Sequence, residues 1–191
     1  MTHKDSMGNI AHIKAGDVQR MSAGTGLTHS EYNYGADTVK FYQIWLFPDK
    51  HDLKPSYDQL SYSNQDFKNH LFPVASGTIA NTVSFHTDAT IYMSTLDKDL
   101  KIDYTPAQKR RTFIYVTDGQ LDVNGQKIGK KDQARIDLEP LLSLQADTET
   151  KFVLLDIPSC EGFGYDIDML RGDKRSGLVY NKDTIKNEKK F

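Results

Sequence analysis

The stretch Arg111-Thr112-Phe113-Ile114-Tyr115-Val116-Thr117-Asp118-Gly119-Gln120-Leu121-Asp122-Val123-Asn124-Gly125 carries the pattern that sets the fold. A period of two runs from Arg111 to Val116 and again from Leu121 to Val123, which puts one set of side chains on each face of a strand. Asp118-Gly119 and Asn124-Gly125 are turn pairs, because glycine and its Asp or Asn neighbour accept the left-handed backbone that tight turns need. Working outward, the period of two recurs at Thr82 to His86, Ala89 to Leu96 and Lys151 to Ile157. Short strands divided by turns, with hardly any helical period, predict an all-β antiparallel barrel or jelly roll.

The first third of the chain has the same character. Thr2 to His12 predicts a hairpin turning at Ser6-Met7-Gly8-Asn9. Val39 to Phe47 is β-branched and aromatic, too apolar for a half-exposed strand, and predicts a buried one closed by Pro48. Pro48 to about Val74 is rich in Asp, Lys, Ser, Asn and Tyr and reads as a connector, with Tyr57, Tyr62 and Phe67 pinning it down.

A weak internal repeat relates the two ends. Asn9 to Asp17 and Asn124 to Asp132 are both eight-residue steps, with Ile13 and Ile128 at matching places. Carried on without a gap, His29 matches Leu144 and Glu31 matches Ala146; the apolar run Phe152 to Ile157 then corresponds to Phe41 to Leu46. Upstream of Asn124 the second copy has roughly thirty residues of strand pattern, Ala89 to Gly119, whereas the first has eight residues before Asn9. The first barrel is therefore expected to be incomplete, with Met1 either an internal methionine of a longer frame or the start of a fragment. Four regions follow: 1–47, a partial first domain; 48–80, the connector; 81–158, a second barrel; and 159–191, a polar, poorly ordered extension, mobile past about Leu178.

The chemistry concentrates in Gly16-Asp17-Val18-Gln19-Arg20-Met21-Ser22-Ala23-Gly24-Thr25-Gly26-Leu27-Thr28-His29-Ser30-Glu31. Gly24 and Gly26 suit a turn with positive φ, and Leu27 to Tyr32 then reads as a strand that aims His29 and Glu31 at one face. Imidazole plus carboxylate suits Fe, Ni, Cu, Mn or Zn, and two histidines with one carboxylate form the site of non-haem iron oxygenases. Two solvated side chains on a polar strand are the alternative. Ala23 to Gly26 is no phosphate loop, since no helix follows and no Lys stands at Walker spacing. His3 and His12, the nearest other imidazoles, make no His-x-His pair and read as surface residues; His51, His70 and His86 read as structural or exposed.

Asp5-Ser6-Met7-Gly8-Asn9, Gly16-Asp17-Val18-Gln19, Met21-Ser22-Ala23-Gly24-Thr25-Gly26, His29-Ser30-Glu31 and Tyr42-Gln43-Ile44-Trp45 together resemble the pirin family, and the resemblance runs to about Pro158. It implies tandem cupin barrels with one metal, held in the N-terminal barrel by three histidines and a glutamate. By resemblance His29 and Glu31 are the later two ligands, while the earlier two lie on a His-x-His strand ahead of the Asp5 to Asn9 turn, which this sequence does not contain. The implied activity is quercetin 2,3-dioxygenase, oxidation of a flavonol by dioxygen at a mononuclear metal, with Glu31 both ligand and catalytic base; two donors in place of four imply impairment. A non-catalytic regulatory protein and an inactive fragment are the alternatives.

Composition bounds the rest. The chain has 191 residues, a net charge of -2 and a mean hydropathy of -0.59. Lys109-Arg110-Arg111, Lys130-Lys131 and Lys189-Lys190 are short and interspersed with acids, so no nucleic-acid partner is expected. Cys160 is the single cysteine, which excludes an internal disulfide and a cysteine zinc site, and a bystander thiol is expected. No run approaches the roughly 18 apolar residues of a membrane span, and a cytoplasmic home is expected. No Ser-His-Asp or Cys-His set stands in recognisable context.

Overall fold

The computed structural model describes residues 1–159. The strands are β1 (Thr2–Asp5), β2 (Ile10–His12), β3 (Asp17–Ser22), β4 (His29–Tyr32), β5 (Ser56–Ser61), β6 (Phe72–Ser76), β7 (Val83–Ser84) and β8 (Thr90–Leu96). They continue as β9 (Lys101–Tyr104), β10 (Arg110–Asp118), β11 (Gln120–Val123), β12 (Gln126–Gly129), β13 (Gln133–Asp137), β14 (Leu142–Ala146) and β15 (Thr150–Pro158). A 3-10 turn over Asn64–Phe67 is the helical element among the described residues. The described residues are nearly all β, as the alternation predicts, and form two units in tandem, as the resemblance implies. Of the extension, only Ser159 is described, buried and donating its N–H to the Lys109 carbonyl; Cys160, the stretch past Leu178 and the rest lie outside the described residues.

The second unit is a sandwich of a six-stranded sheet, β13-β10-β15-β8-β6-β7, and a four-stranded sheet, β12-β11-β14-β9. Alternation fills the space between them: Leu96, Ile114, Val116, Phe152 and Leu154 from one sheet meet Leu121, Val123, Leu142, Leu144 and Ala146 from the other. Asn124-Gly125 closes the β11–β12 hairpin as expected, with positive φ at both residues and Val123 paired to Gln126. Asp118-Gly119 acts differently: it is a corner at which the chain passes from one sheet to the other. Gly119 is required there, because its φ is +83 and a Cβ would lie 2.3 Å from the Glu149 carbonyl oxygen.

One inward position of β15 carries a charge. Asp156 accepts from the Tyr104 hydroxyl and from Arg110, whose guanidinium also reaches Asp88 at 2.7 Å. Burial pushes the Tyr104 hydroxyl far up, reinforced by its bond to Asp156, so it remains a donor.

The first unit is built of a β2-β1-β4 sheet and a β3-β5 ribbon. The Thr2 to His12 hairpin forms as expected, Thr2 opposite His12. Tyr57 lies on β5 of that ribbon, the Tyr62 hydroxyl donates to the Val74 carbonyl at 2.8 Å, and Phe67 is buried beside Tyr62 and Phe72. The buried strand expected over Val39 to Phe47 is a correction. The run is irregular, and Phe41, Tyr42 and Trp45 are 57%, 61% and 64% exposed. A buried strand needs hydrogen-bonding neighbours on its edges and surfaces over its faces; the corresponding β15 has β10 and β8, and residues 39–47 have no strand partner among the described residues.

Candidate metal centre

The hairpin that begins the chain is organised by Asp5. Its Oδ1 accepts from the Met7 and Asn9 N–H groups, both at 3.0 Å, and its Oδ2 from the Asn9 side chain at 2.8 Å and His3 Nε2 at 3.1 Å. Burial opposes the charge, and these bonds outweigh it, holding the Asp5 carboxyl down at about 2. Gly24, φ +52, lets the following loop run against residue 53, since a Cβ there would sit 2.0 Å from the Leu53 carbonyl oxygen. The Thr25 N–H donates to that same carbonyl, and the loop delivers β4, the strand expected over Leu27 to Tyr32.

Pairing of β1 with β4 sets His3 opposite Glu31 and Asp5 opposite His29. Directly opposed residues share a face, and so do residues two apart, so His3, Asp5, His29 and Glu31 form a square on one side of the sheet. Two corners are engaged in holding the hairpin: His3 Nε2 donates to Asp5, and Asp5 gathers the turn. His3 is fully buried, contrary to the surface position expected for it, because its ring lies between Tyr57 (centroids 4.6 Å apart) and His29 (5.8 Å). Among the described residues its Nδ1 has no hydrogen-bond partner, and it stands 3.9 Å from Glu31 Oε1. His29 is exposed, on a cleft of about 300 Å3 that Lys4, Asp5 and Thr28 also line, and Glu31 is half-buried. His12, His51, His70 and His86 are exposed elsewhere.

The β3–β5 ribbon covers Glu31 with polar side chains. Gln19 on β3 donates through Nε2 to Glu31 Oε1. The Tyr57 hydroxyl on β5 lies 3.0 Å from Gln19 Oε1 and 2.6 Å from Gln59 Oε1. Burial, then the carboxylates of Glu31, Asp17 and Asp5, push this hydroxyl up to about 12, so it keeps its proton at neutral pH. Gln19, Tyr57 and the buried His3 were not singled out by the sequence as parts of a site. The quoted Gly-Asp-Val-Gln run contains Gln19, but its partner on β5 is 38 residues away and no local pattern joins them.

Donor type at His29 and Glu31 fits a divalent transition metal; donor number is the other half of the test. Among the described residues no group of three or more His, Cys, Asp or Glu side chains is arranged to hold an ion, and tight sites present three or four. In the second unit the same register sets Leu121 opposite Ala146 and Val123 opposite Leu144, all four buried in the core.

Comparison with known proteins identifies this plan. The family model named Pirin matches residues 1–46, and the quercetinase C-terminal cupin domain matches residues 74–157. The putative quercetin 2,3-dioxygenase of Pseudomonas aeruginosa is 32% identical over 159 residues, which cover 82% of this chain and 68% of that protein. This chain belongs to the pirin family. A quercetin 2,3-dioxygenase of Escherichia coli K12 is 34% identical over 157 residues, 82% of this chain and 67% of the relative. The crystal structure of YhhW from Escherichia coli superimposes with a TM-score of 0.78 at 34% identity, covering 83% of this chain and 67% of that one. A second structure, the bacterial pirin YhhW in complex with nickel(II), gives 0.74 at 32% identity, covering 83% and 68%. The pirin chain described here thus spans about two thirds of the length of these relatives.

Proposed function

We propose that this pirin binds a divalent transition metal through His29 and Glu31 and acts on a flavonol with dioxygen, the activity its relatives are named for. With a donor set of two, this 191-residue chain does both weakly. The observation that carries the proposal is the β1–β4 face, where an exposed imidazole and a half-buried carboxylate stand two residues apart. A bound metal would supply Lewis acidity that favours the ionised flavonol hydroxyl. The protein's part is to accept and to orient. Glu31, an acceptor-only carboxylate once ionised, takes the hydroxyl proton, and His29 holds its position at the cleft. Fe, Ni, Cu, Mn and Zn all suit such donors; the nickel complex of the homologous pirin makes Ni(II) the first ion to test.

A non-catalytic pirin is the second reading, favoured by the same count of two donors. Among the described residues no helix is long and apolar enough to cross a membrane; a cytoplasmic home and the absence of a nucleic-acid partner remain part of the proposal. Metal content after dialysis against Ni(II) or Fe(II), with quercetin consumption measured on the same sample, separates the readings. Metal with slow turnover, both lost in His29→Ala, is the expected result. Metal without turnover supports the non-catalytic protein, and no uptake in the wild type rejects the metal site.

A further inference from the structure

We propose that Gln19, itself oriented by the Tyr57 hydroxyl, is a positioning residue that fixes Glu31. The inference deepens the proposed metal site and rests on it only for its consequence, not for its geometry. An ionised carboxylate accepts and never donates, so Glu31 admits only the NH2 end of the Gln19 amide. The Gln19 carbonyl must then face away from Glu31, toward β5, where the Tyr57 hydroxyl meets it at 3.0 Å. Gln59 is forced in the same sense. Its Nε2 donates to the His12 carbonyl at 3.1 Å and to Asp17 Oδ2 at 2.9 Å, which leaves its Oε1 against the same hydroxyl at 2.6 Å. Two carbonyl oxygens of fixed orientation converge on one proton, so the hydroxyl cannot turn away without leaving both unpaired. Rotation of Gln19 to present its carbonyl would set two acceptors against each other at Glu31. The chain of bonds runs β5 to β3 to β4 and has one low-energy direction. Outer partners of this kind set the angle and basicity of a ligating carboxylate.

The test uses the full 191-residue chain and two readouts. The first, NMR of the Gln19 side-chain amide, needs no metal. The amide protons should stand away from those of solvated glutamines, return toward them in Glu31→Ala, and move in Tyr57→Phe, which removes a single oxygen. A wild-type Gln19 amide at the solvated position, or one unmoved in Glu31→Ala, overturns the proposal. The second readout is Ni(II) affinity by titration, with far-UV circular dichroism confirming an unchanged fold. Gln19→Leu should lose about 10-fold, Tyr57→Phe less, and the double variant no more than Gln19→Leu, because both act through one bond. Additive losses overturn the relay. Wild-type Ni(II) affinity in Glu31→Ala instead overturns the metal reading alone, and the amide resonances then decide the positioning role.

Discussion

The two units run one plan with opposite contents. On the second, β11 and β14 pair as β1 and β4 do, but the opposed side chains are Leu121, Val123, Leu144 and Ala146 where the first has His3, Asp5, His29 and Glu31. Among the described residues the buried apolar side chains run from Phe67 to Leu154; on β1 the residues buried are Thr2 and His3, with the Asp5 side chain also shielded from solvent. One register therefore serves either a dry core or a polar face, depending on which residues fill it. The strand after it completes the contrast. β15 lies between β10 and β8 with Phe152 1% exposed, and the corresponding run holds Phe41 at 57%.

The largest effect should separate those two phenylalanines. Phe152→Ala is expected to cost about 3 to 5 kcal/mol in urea unfolding, by lost transfer energy and a cavity between two sheets. Phe41→Ala should stay within about 0.5 kcal/mol; comparable losses at the two sites would break the comparison. Next comes Asp156→Ala, which strands the guanidinium of Arg110 with exposed Asp88 as its remaining carboxylate and should cost about 3 kcal/mol by the same assay.

Acid should act on the first unit through Asp5. Its carboxyl is held at about 2, below the ordinary 3.8, so the folded state binds the proton less readily than the unfolded one. The stabilisation is present in full above the unfolded value and disappears as the pH falls through about 2. Amide exchange at Met7 and Asn9 should accelerate over that interval, and Asp5→Ala should show fast exchange at neutral pH. The smallest effect is optical. Trp45 is the only tryptophan of the chain and is 64% exposed, so its emission should match a solvated indole and be quenched freely by iodide. A blue-shifted, protected Trp45 would place that run in a packed strand after all.

The second unit was legible because its longest strands carry a period of two: Thr112, Ile114 and Val116 point inward from β10. The corner at Gly119 was read as a turn of the ordinary kind, since a glycine pair does not say whether the strands it joins share a sheet. Residues 39–47 misled for a related reason. Apolar content reports a demand for burial, and meeting it depends on strands elsewhere in the chain. At the candidate site, the shared face of His29 and Glu31 was visible from their spacing of two. His3 was not, because its burial comes from Tyr57, 54 positions on in the sequence, and Gln19 gave no sign of its role before β3 met β5.

The exposed run has a colloidal consequence. Between Val39 and Phe47 only Lys40 carries a charge, and β-branched and aromatic side chains dominate. Such a segment, with backbone edges that no strand among the described residues pairs and a single gatekeeper, is a template for cross-β stacking. Solubility of the purified chain should fall steeply with concentration and with salt, which screens the little repulsion that Lys40 provides. Ile44→Lys, a second charge in the run, should lengthen its life in solution while leaving the folded units as they are.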